Sequence, residues 1–445
     1  MTAAETFSAD PPQDPGGPVP APAGALTTAD GLPLRAALAR AQRRARLKAL
    51  ALVAPLLLFI VVTFIIPIGQ MLHRSVYNES FSIHTDLGTG EKTPIMVNLR
   101  AWFEANPQGT EPDEAAYAAL VADLAHAQGL RANGTIGTRV NYDLPGSRSL
   151  FTGAGRSAGR MEAPFREALL DQDAGWGNPA LWAAMRQASS AYTANFFLAA
   201  LDRTRDLDGA IVSAPSDRQV YVNLYLRTFG LSALITFFCL LLGFPVAHLL
   251  ATLPLKSSNL LMILVLLPFW TSLLVRTTSW MVLLQGQGVV NNILVSLGIV
   301  SDAGRLQMMY NQAGTIIAMT HILLPFMILP LYSVMRTIKP AYVRAARSLG
   351  ATSWTAFRRV YLPQTLPGIG AGALLTFILA VGYYITPALV GGASGQLISN
   401  LIAFHMQNSL NWSLAAALAA ILLISVLLLY WVYDRLVGID NMKLG

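Results

Sequence analysis

Residues 339–370 read KPAYVRAARSLGATSWTAFRRVYLPQTLPGIG. Pro340 suits the first turn of a helix, because the N–H it lacks would have no intrahelical partner there. The spacing predicts a short helix over 341–349. Gly350 can end that helix by taking the left-handed conformation that a Cβ disfavours. Thr352 or Ser353 can then cap a second short helix running to Tyr361, which Pro363 is expected to end. The result is two short helices joined by a tight turn. Leu349, Trp354, Phe357 and Val360 give the pair an apolar side, while Arg344, Arg347, Arg358 and Arg359 remain hydrated. Ala345 and Ala346 permit close approach by another surface. Two readings fit these residues: an amphipathic element lying on anionic lipid, or a docking surface for a partner protein.

The stretch lies between apolar runs long enough to cross a bilayer, roughly 20 residues each. Runs at about 229–253, 260–284, 313–334, 366–385 and 414–437 join an earlier one at 49–68, giving about six spans. Of the 445 residues, 54% are hydrophobic and only 12% charged, against about 25% charged for an ordinary soluble domain. The predicted class is an all-α polytopic membrane bundle.

Charge distribution orients the spans. Arg35, Arg40, Arg43, Arg44, Arg46 and Lys48 precede the first run, and the loop 335–365 carries Arg336, Lys339, Arg344, Arg347, Arg358 and Arg359 with no acid. Lys256, Arg435 and Lys443 mark the same side. The alternate loops, about 285–312 and 388–413, have Arg305 as their one cationic residue. Positive charge stays in the cytoplasm, so both termini are expected there. Trp412, Tyr430, Trp431 and Tyr433 are expected at the two interfaces. Residues 1–34, rich in Pro, Ala, Gly and Asp, read as a disordered cytoplasmic tail, and the late apolar run reads as an uncleaved anchor rather than a signal peptide.

Residues 73–218 form an insert of different character. They hold 13 Lys/Arg and 17 Asp/Glu, whereas the rest of the chain holds 18 and 7. Helical patterns at 114–127 and 180–201 and a Gly/Ser-rich loop at 152–159 predict a mainly helical domain. Topology places it outside the cytoplasm. Its carboxylates have no recognisable catalytic spacing and read as a solvated surface.

Several chemistries find no sequence support. The six histidines are scattered, without HExxH or Cys/His pairing, so no metal site is expected. Cys239, the single cysteine, reads as a small buried side chain. Basic residues follow topology, without the arginine-rich, aromatic-interleaved pattern of a nucleic-acid binder. No GxxxxGK[ST] phosphate loop occurs, so the chain is not expected to be an enzyme or to bind ATP itself. Apart from Asp434, near the end of the last expected span, no Asp or Glu lies inside the expected spans, which gives a proton-coupled carrier little to work with. Pro55, Pro67, Pro245, Pro268, Pro325 and Pro330 lie inside spans. They fit either bundle packing or helix breaks along a path.

The opening stretch resembles the cytoplasmic coupling motif of bacterial ABC importer permeases, whose pattern is roughly EAA, two residues, LGA, then Phe, Val, LP and PG. Ala345, Ala346, Leu349, Gly350, Ala351, Phe357, Val360, Leu362, Pro363, Pro367 and Gly368 match at the right spacing. Arg344 departs from it, standing where the family has Glu. A second resemblance is to spermidine/putrescine-type permeases: PFWTSLLVRTTSW at 268–280, then Asn311, His321, Leu324, Pro325 and Phe326, then GYYITP at 382–387 with Gly391 and Gly392. It covers most of residues 45–440 except the insert.

The resemblance implies a permease subunit in the bacterial inner membrane that pairs with a second homologous permease. It implies an ATPase dimer docked on the coupling loop, carrying ATP and Mg, and a periplasmic binding protein that delivers a polyamine such as putrescine or spermidine, or else another small organic solute. Arg344, Ala345, Ala346, Leu349, Gly350, Ala351, Phe357, Leu362, Pro363, Pro367 and Gly368 would couple to the ATPase. Aromatic faces hold cations, which makes Phe269, Trp270, Trp280, Tyr383 and Tyr384, with Arg276 beside them, the candidates for lining the path.

Overall fold

The computed structural model describes residues 34–86 and 88–437. The tail expected over residues 1–34 lies outside them, apart from Leu34 itself, and so does Lys443. The chain divides into two units, Met1–Gln70 and Met71–Gly445. The described part of the first is helical: Leu34–Ile60 continues through a π turn, Val61–Ile65, into Ile66–Arg74. Its apolar stretch, Gln42–Arg74, is long enough to cross a bilayer.

Four further helical stretches pass the same test: Ser216–Thr252, Gln312–Thr337, Ser353–Gly382 and Trp412–Arg435. The run expected as one span over 260–284 differs. It is a pair, Leu255–Trp270 and Leu273–Ser296, bent by 97°. Pro268 lacks the N–H needed to continue an α-helix and lies in a 3-10 turn, Leu267–Trp270. Ser272 then starts a new helix by accepting the Val275 N–H at 3.2 Å.

Three helices build the centre of the bundle. Ile235, Cys239 and Ala247 of Tyr221–Thr252 pack with Met319, Leu323, Met327 and Leu331 of Gln312–Thr337 and with Tyr361 and Ala380 from the third stretch. Small residues permit the approach, as membrane helix contacts require. A Cβ on Gly368 would sit 3.0 Å from Val334 Cβ and 3.2 Å from Pro330 O, and one on Gly372 would sit 2.8 Å from Met327 Sδ. Cys239 is buried, its thiol 3.4 Å from Thr320 O.

The insert has its own core, in which Leu99, Tyr117, Leu120, Ile136, Phe151 and Trp176 are buried. The stretch 152–159, expected as a loop, is instead helical: Arg148–Ser157 runs into a 3-10 turn, Ala158–Arg160. Its glycines serve packing. Gly155 faces Asn133 so closely that a Cβ would fall 1.9 Å from Nδ2, and a Cβ on Gly137 would fall 2.9 Å from Arg148 O. The pattern at 180–201 resolves into two helices, Pro179–Ser189 and Asn195–Ala200. Two short hairpins complete the insert, Ile83–Thr85 with Lys92–Pro94 and Arg203–Arg205 with Ile211–Ser213.

The insert is attached to the start of two membrane helices. Asp202 accepts the N–H groups of Val220, Tyr221 and Val222 at 3.1, 3.0 and 2.9 Å, capping Tyr221–Thr252. Asn78 Nδ2 donates to Ser413 Oγ at 3.0 Å, Tyr142 OH donates to Leu410 O at 3.2 Å, and the Arg74 guanidinium lies 6.0 Å from the Trp412 ring centre. Phe196 and Ala200 share an apolar cluster with Tyr225, Leu414 and Leu418.

Candidate functional site

At the other end of Tyr221–Thr252, about 48 Å away at 1.5 Å per residue, lies the stretch 339–370. Pro340–Ser348 is helical. Gly350 takes φ +90°, its N–H donates to Arg347 O at 3.0 Å, and that of Ala351 donates to Ala346 O at 3.1 Å. These paired bonds satisfy carbonyls at the helix end that would otherwise be unpaired. Thr352 Oγ1 accepts the Thr355 N–H at 3.2 Å and starts the next helix.

That second helix does not stop at Pro363. Ser353–Ala356 passes through a π turn, Phe357–Tyr361, into Leu362–Gly382. In the wider turn the Leu362 N–H reaches back to Phe357 O. Pro363 then occupies the first turn of the following helix, where its missing N–H costs little. The stretch 339–370 is therefore continuous with a membrane span.

This continuity sorts the residues. Arg344, Ala345, Leu349 and Gly350 are exposed, Ala346 and Ala351 half-buried. Leu349 is 89% exposed and Trp354 68%, and Tyr342 is exposed as well, on the same short helices that carry Arg344, Arg347, Arg358 and Arg359. Phe357 and Leu362 are half-buried, Pro363 is exposed, and Pro367 and Gly368 lie along the bundle. Gly368 meets a neighbouring helix rather than the open face. A line of rings joins the two groups. Trp354 stacks on Phe357 and Phe357 on Tyr361, each at 5.8 Å between centres. Tyr361 meets His248 at 5.0 Å, and its hydroxyl lies 3.0 Å from His248 Nδ1.

The path candidates separate into three places. Phe269 meets Phe326 edge-on at 5.0 Å, at the 97° bend, with Trp270 86% exposed nearby in sequence. Trp280 Nε1 donates to His321 Nδ1 at 3.0 Å. Arg276 is near enough to His321 and Tyr383 to act on both electrostatically. Its Nε is buried with no hydrogen-bond partner among the described residues. Tyr384 lines a separate cavity of about 480 Å³ with Gln396, Asn400, Phe404 and Gln407. These four residues were not anticipated: they belong to a short helix, Ile398–Gln407, and the turn before it, which carry neither a long apolar run nor a motif. His321 was visible in sequence as an ionisable group in a span, but its tie to Trp280 was not. No group of three or more His, Cys, Asp or Glu among the described residues is arranged to hold a metal.

Comparison with known proteins matches the core. A family model described as "Binding-protein-dependent transport system inner membrane component" matches residues 233–438, so the insert lies outside the match. The chain is 37% identical over 222 residues to the spermidine/putrescine transport system permease protein PotB of Escherichia coli (strain K12), covering 49% of this chain and 80% of that protein. It is likewise 37% identical over 224 residues to PotB of Haemophilus influenzae, covering 50% and 78%. A looser likeness, 18% identical with a TM-score of 0.43, is to a chain of a bacterial alginate ABC transporter solved in complex with an alginate pentasaccharide-bound periplasmic protein, covering 51% of this chain and 81% of that one. Identity at this level, over more than three quarters of each PotB relative, means that the chain belongs to the family of binding-protein-dependent inner-membrane permeases of ABC importers.

Proposed function

We propose that this permease moves a polyamine such as putrescine or spermidine from a periplasmic binding protein into the cytoplasm by alternating access. It works beside a second homologous permease, and ATP is hydrolysed on a separate ATPase dimer. Both termini and the stretch 339–370 face the cytoplasm, and the insert faces the periplasm. One observation carries the reading. Leu349, Trp354 and Tyr342 are each exposed on a short helix pair, and a line of ring contacts, stacked from Trp354 through Phe357 to Tyr361 and edge-on from Tyr361 to His248, leads to the membrane helix Tyr221–Thr252. An exposed apolar patch rimmed by charge suits a protein partner. The rings give closure of that partner a direct mechanical route to a membrane span. The requirement is a bundle with two states that the ATPase binds differently.

The polyamine reading rests on the likeness to the PotB proteins and on the aromatic faces of Trp270, Trp280, Tyr383 and Tyr384, which attract cations. The test is ATP-dependent uptake of labelled putrescine by the complex reconstituted with its binding protein and ATPase. Uptake is expected with the wild type and is lost in the double variant Leu349→Ala, Trp354→Ala, with the protein still inserted. Normal uptake in that variant removes the docking role, and uptake without an ATPase removes the importer mechanism.

Arg276 favours a second reading. Between residues 219 and 437 the only acids are Asp302 and Asp434, and Asp302 is engaged by Arg305 at 2.8 Å. A cation within a membrane helix whose buried Nε has no partner among the described residues is costly unless compensated, and an anionic group on the cargo would compensate it. Uptake of a small carboxylate in place of putrescine, abolished by Arg276→Gln, would establish that alternative.

A further inference from the structure

The insert as a whole is acidic, but one stretch of it is not. Between Asp123 and Glu162 the only acid is Asp143, against five arginines, Arg131, Arg139, Arg148, Arg156 and Arg160. Arg131, Arg139 and Arg148 line one pocket of about 310 Å³ together with Ser80, Thr135 and Tyr142, and no acid lines it. The helix Asn133–Asp143 arranges this. Thr135, Arg139 and Tyr142 recur at intervals of four and three residues, which puts them on one face. Arg131 comes just before that helix, and Arg148 starts the next one, Arg148–Ser157, which packs against it.

Arg139 forms the inner wall of the pocket and is completely buried. Its Nη1 donates to Asp143 Oδ2 at 2.7 Å. The Phe196 ring lies 5.2 Å from the guanidinium carbon and offers no oxygen. Nε and Nη2 are left without a hydrogen-bond partner among the described residues, which is costly for a buried charged group. Arg131 and Arg148 are exposed. Neither is in an ion pair among the described residues, where the paired cations are Lys92, Arg100, Arg139 and Arg305. Burial pushes the Tyr142 phenol up, and the charges of Arg139 and Arg148 pull it back, so both guanidinium groups reach that ring. Glu79, beside Ser80 in sequence, is paired with Lys92, and that pair adds no net charge. Three arginines less Asp143 leave two positive charges at the pocket.

We propose that this pocket binds a free, doubly charged tetrahedral oxyanion of the phosphate or sulfate class. A dianion neutralises the two charges, whereas a single carboxylate from a partner protein would leave one of them. Guanidinium N–H groups match the oxygens of such an ion in geometry and charge, and the hydroxyls of Ser80 and Thr135 can donate to its remaining lone pairs. The bound ion bridges the helix Asn133–Asp143, Arg148 and the segment at Ser80. Tyr142 lines the same pocket and donates to Leu410 O at 3.2 Å, so the site borders the contact between the insert and the last membrane helix. The inference rests on residues of the insert alone, and not on the cargo or the transport mechanism.

The test is isothermal titration calorimetry on the full-length chain in its membrane complex. Sodium sulfate and sodium phosphate are the probes, with sodium chloride at equal ionic strength as the reference. Saturable binding of one ion per chain is expected for both probes, and R131Q/R148Q is expected to weaken it tenfold or more. R156Q/R160Q removes the same charge from the same stretch but outside the pocket, and is expected to bind as the wild type does. Melting curves in chloride establish that each variant folds. If the double variant melts early, R148Q alone is read, with a threefold or greater loss expected. Chloride that binds as tightly, or an equal loss in R156Q/R160Q, overturns the proposal in favour of diffuse screening. Absence of saturable binding also overturns it, leaving water as the partner of Arg139. Displacement of sulfate by phosphatidylglycerol in nanodiscs overturns it in favour of a lipid headgroup. None of these readings depends on uptake, so failure here is distinct from failure of the transport assignment.

Discussion

The hydroxyl of Tyr361 lies 3.0 Å from Nδ1 of His248, joining the π turn Phe357–Tyr361 to the last turns of Tyr221–Thr252. Beyond this bond the same two elements touch through Phe357, which meets Phe244 edge-on at 6.2 Å. Tyr361→Phe keeps the ring and removes the bond. A net loss of about 1 kcal/mol or somewhat less is expected from one such bond. Folding should survive, while putrescine uptake per ATP hydrolysed should fall several-fold. Parallel assays of hydrolysis and uptake check this, and an unchanged ratio would show that the pair is structural only.

Gly350 stands at φ +90° with nothing within 4 Å of the position a Cβ would take. The cost of substitution is therefore conformational and not steric. Gly350→Ala is expected to cost about 1–2 kcal/mol at this turn and to weaken ATPase retention on the purified complex. Gly350→Trp adds bulk to the exposed face and is expected to abolish uptake while leaving the protein in the membrane, as membrane fractionation with a transport assay will show.

Gly368 and Gly372 make the opposite case. A Cβ at either would meet the backbone of Gln312–Thr337, at Pro330 O or Met327 O, which cannot swing away as a side-chain tip can. Overpacking of this kind costs typically about 1–3 kcal/mol. Gly368→Val is expected to lower the melting temperature in detergent, whereas Gly382→Val, at a position with nothing within 4 Å of a Cβ, should not.

The same contrast explains what the sequence could reveal. The left-handed turn at Gly350 and the cap at Thr352 were readable because their causes lie within a few residues. The all-α membrane class was readable because span length and apolarity are local sums. The continuation through Pro363 was not, since a proline two residues after Tyr361 reads as a stop unless the wider π turn before it is known. Gly155 read as part of a loop because the partner that needs it small, Asn133, is 22 positions away. Of the path candidates, Trp280 and Tyr383 reach the same neighbourhood through His321 and Arg276. Tyr384, adjacent in sequence to Tyr383, lines a different cavity because the helix Leu362–Gly382 has already ended.

Glu79 lies in the insert between Lys92 and Tyr77. Burial pushes its carboxyl up, but hydrogen bonds from Lys92 and Tyr77 outweigh that and hold it below the usual carboxylate range. The same carboxylate pushes the Tyr77 phenol up to about 12. A depressed carboxyl stabilises the fold above its unfolded pKa, and this contribution disappears as pH falls through the folded value. Acidification below about pH 4, the unperturbed range, should therefore loosen the hairpin Ile83–Thr85 with Lys92–Pro94. Hydrogen exchange at His84 and Thr93, the pair whose N–H groups face across the ladder, will report it, and Glu79→Gln should remove this pH dependence.

Asp202 ties the insert to the core with a single carboxylate that holds three backbone N–H groups at the start of Tyr221–Thr252. Its own backbone is left-handed, at φ +56°, a conformation Asn tolerates better than Ala. Asp202→Ala loses the cap and adds backbone strain, so about 1–2 kcal/mol of stability should go. Asp202→Asn keeps the backbone and one acceptor oxygen and should lose less. The insert carries its own core around Trp176 and Tyr117, so the loss should fall at the junction. Limited proteolysis should cut near residues 214–220 in Asp202→Ala before the insert unfolds. Cleavage that instead begins within Glu114–Gly129 would mean that the insert's own core, and not the junction, depends on this residue.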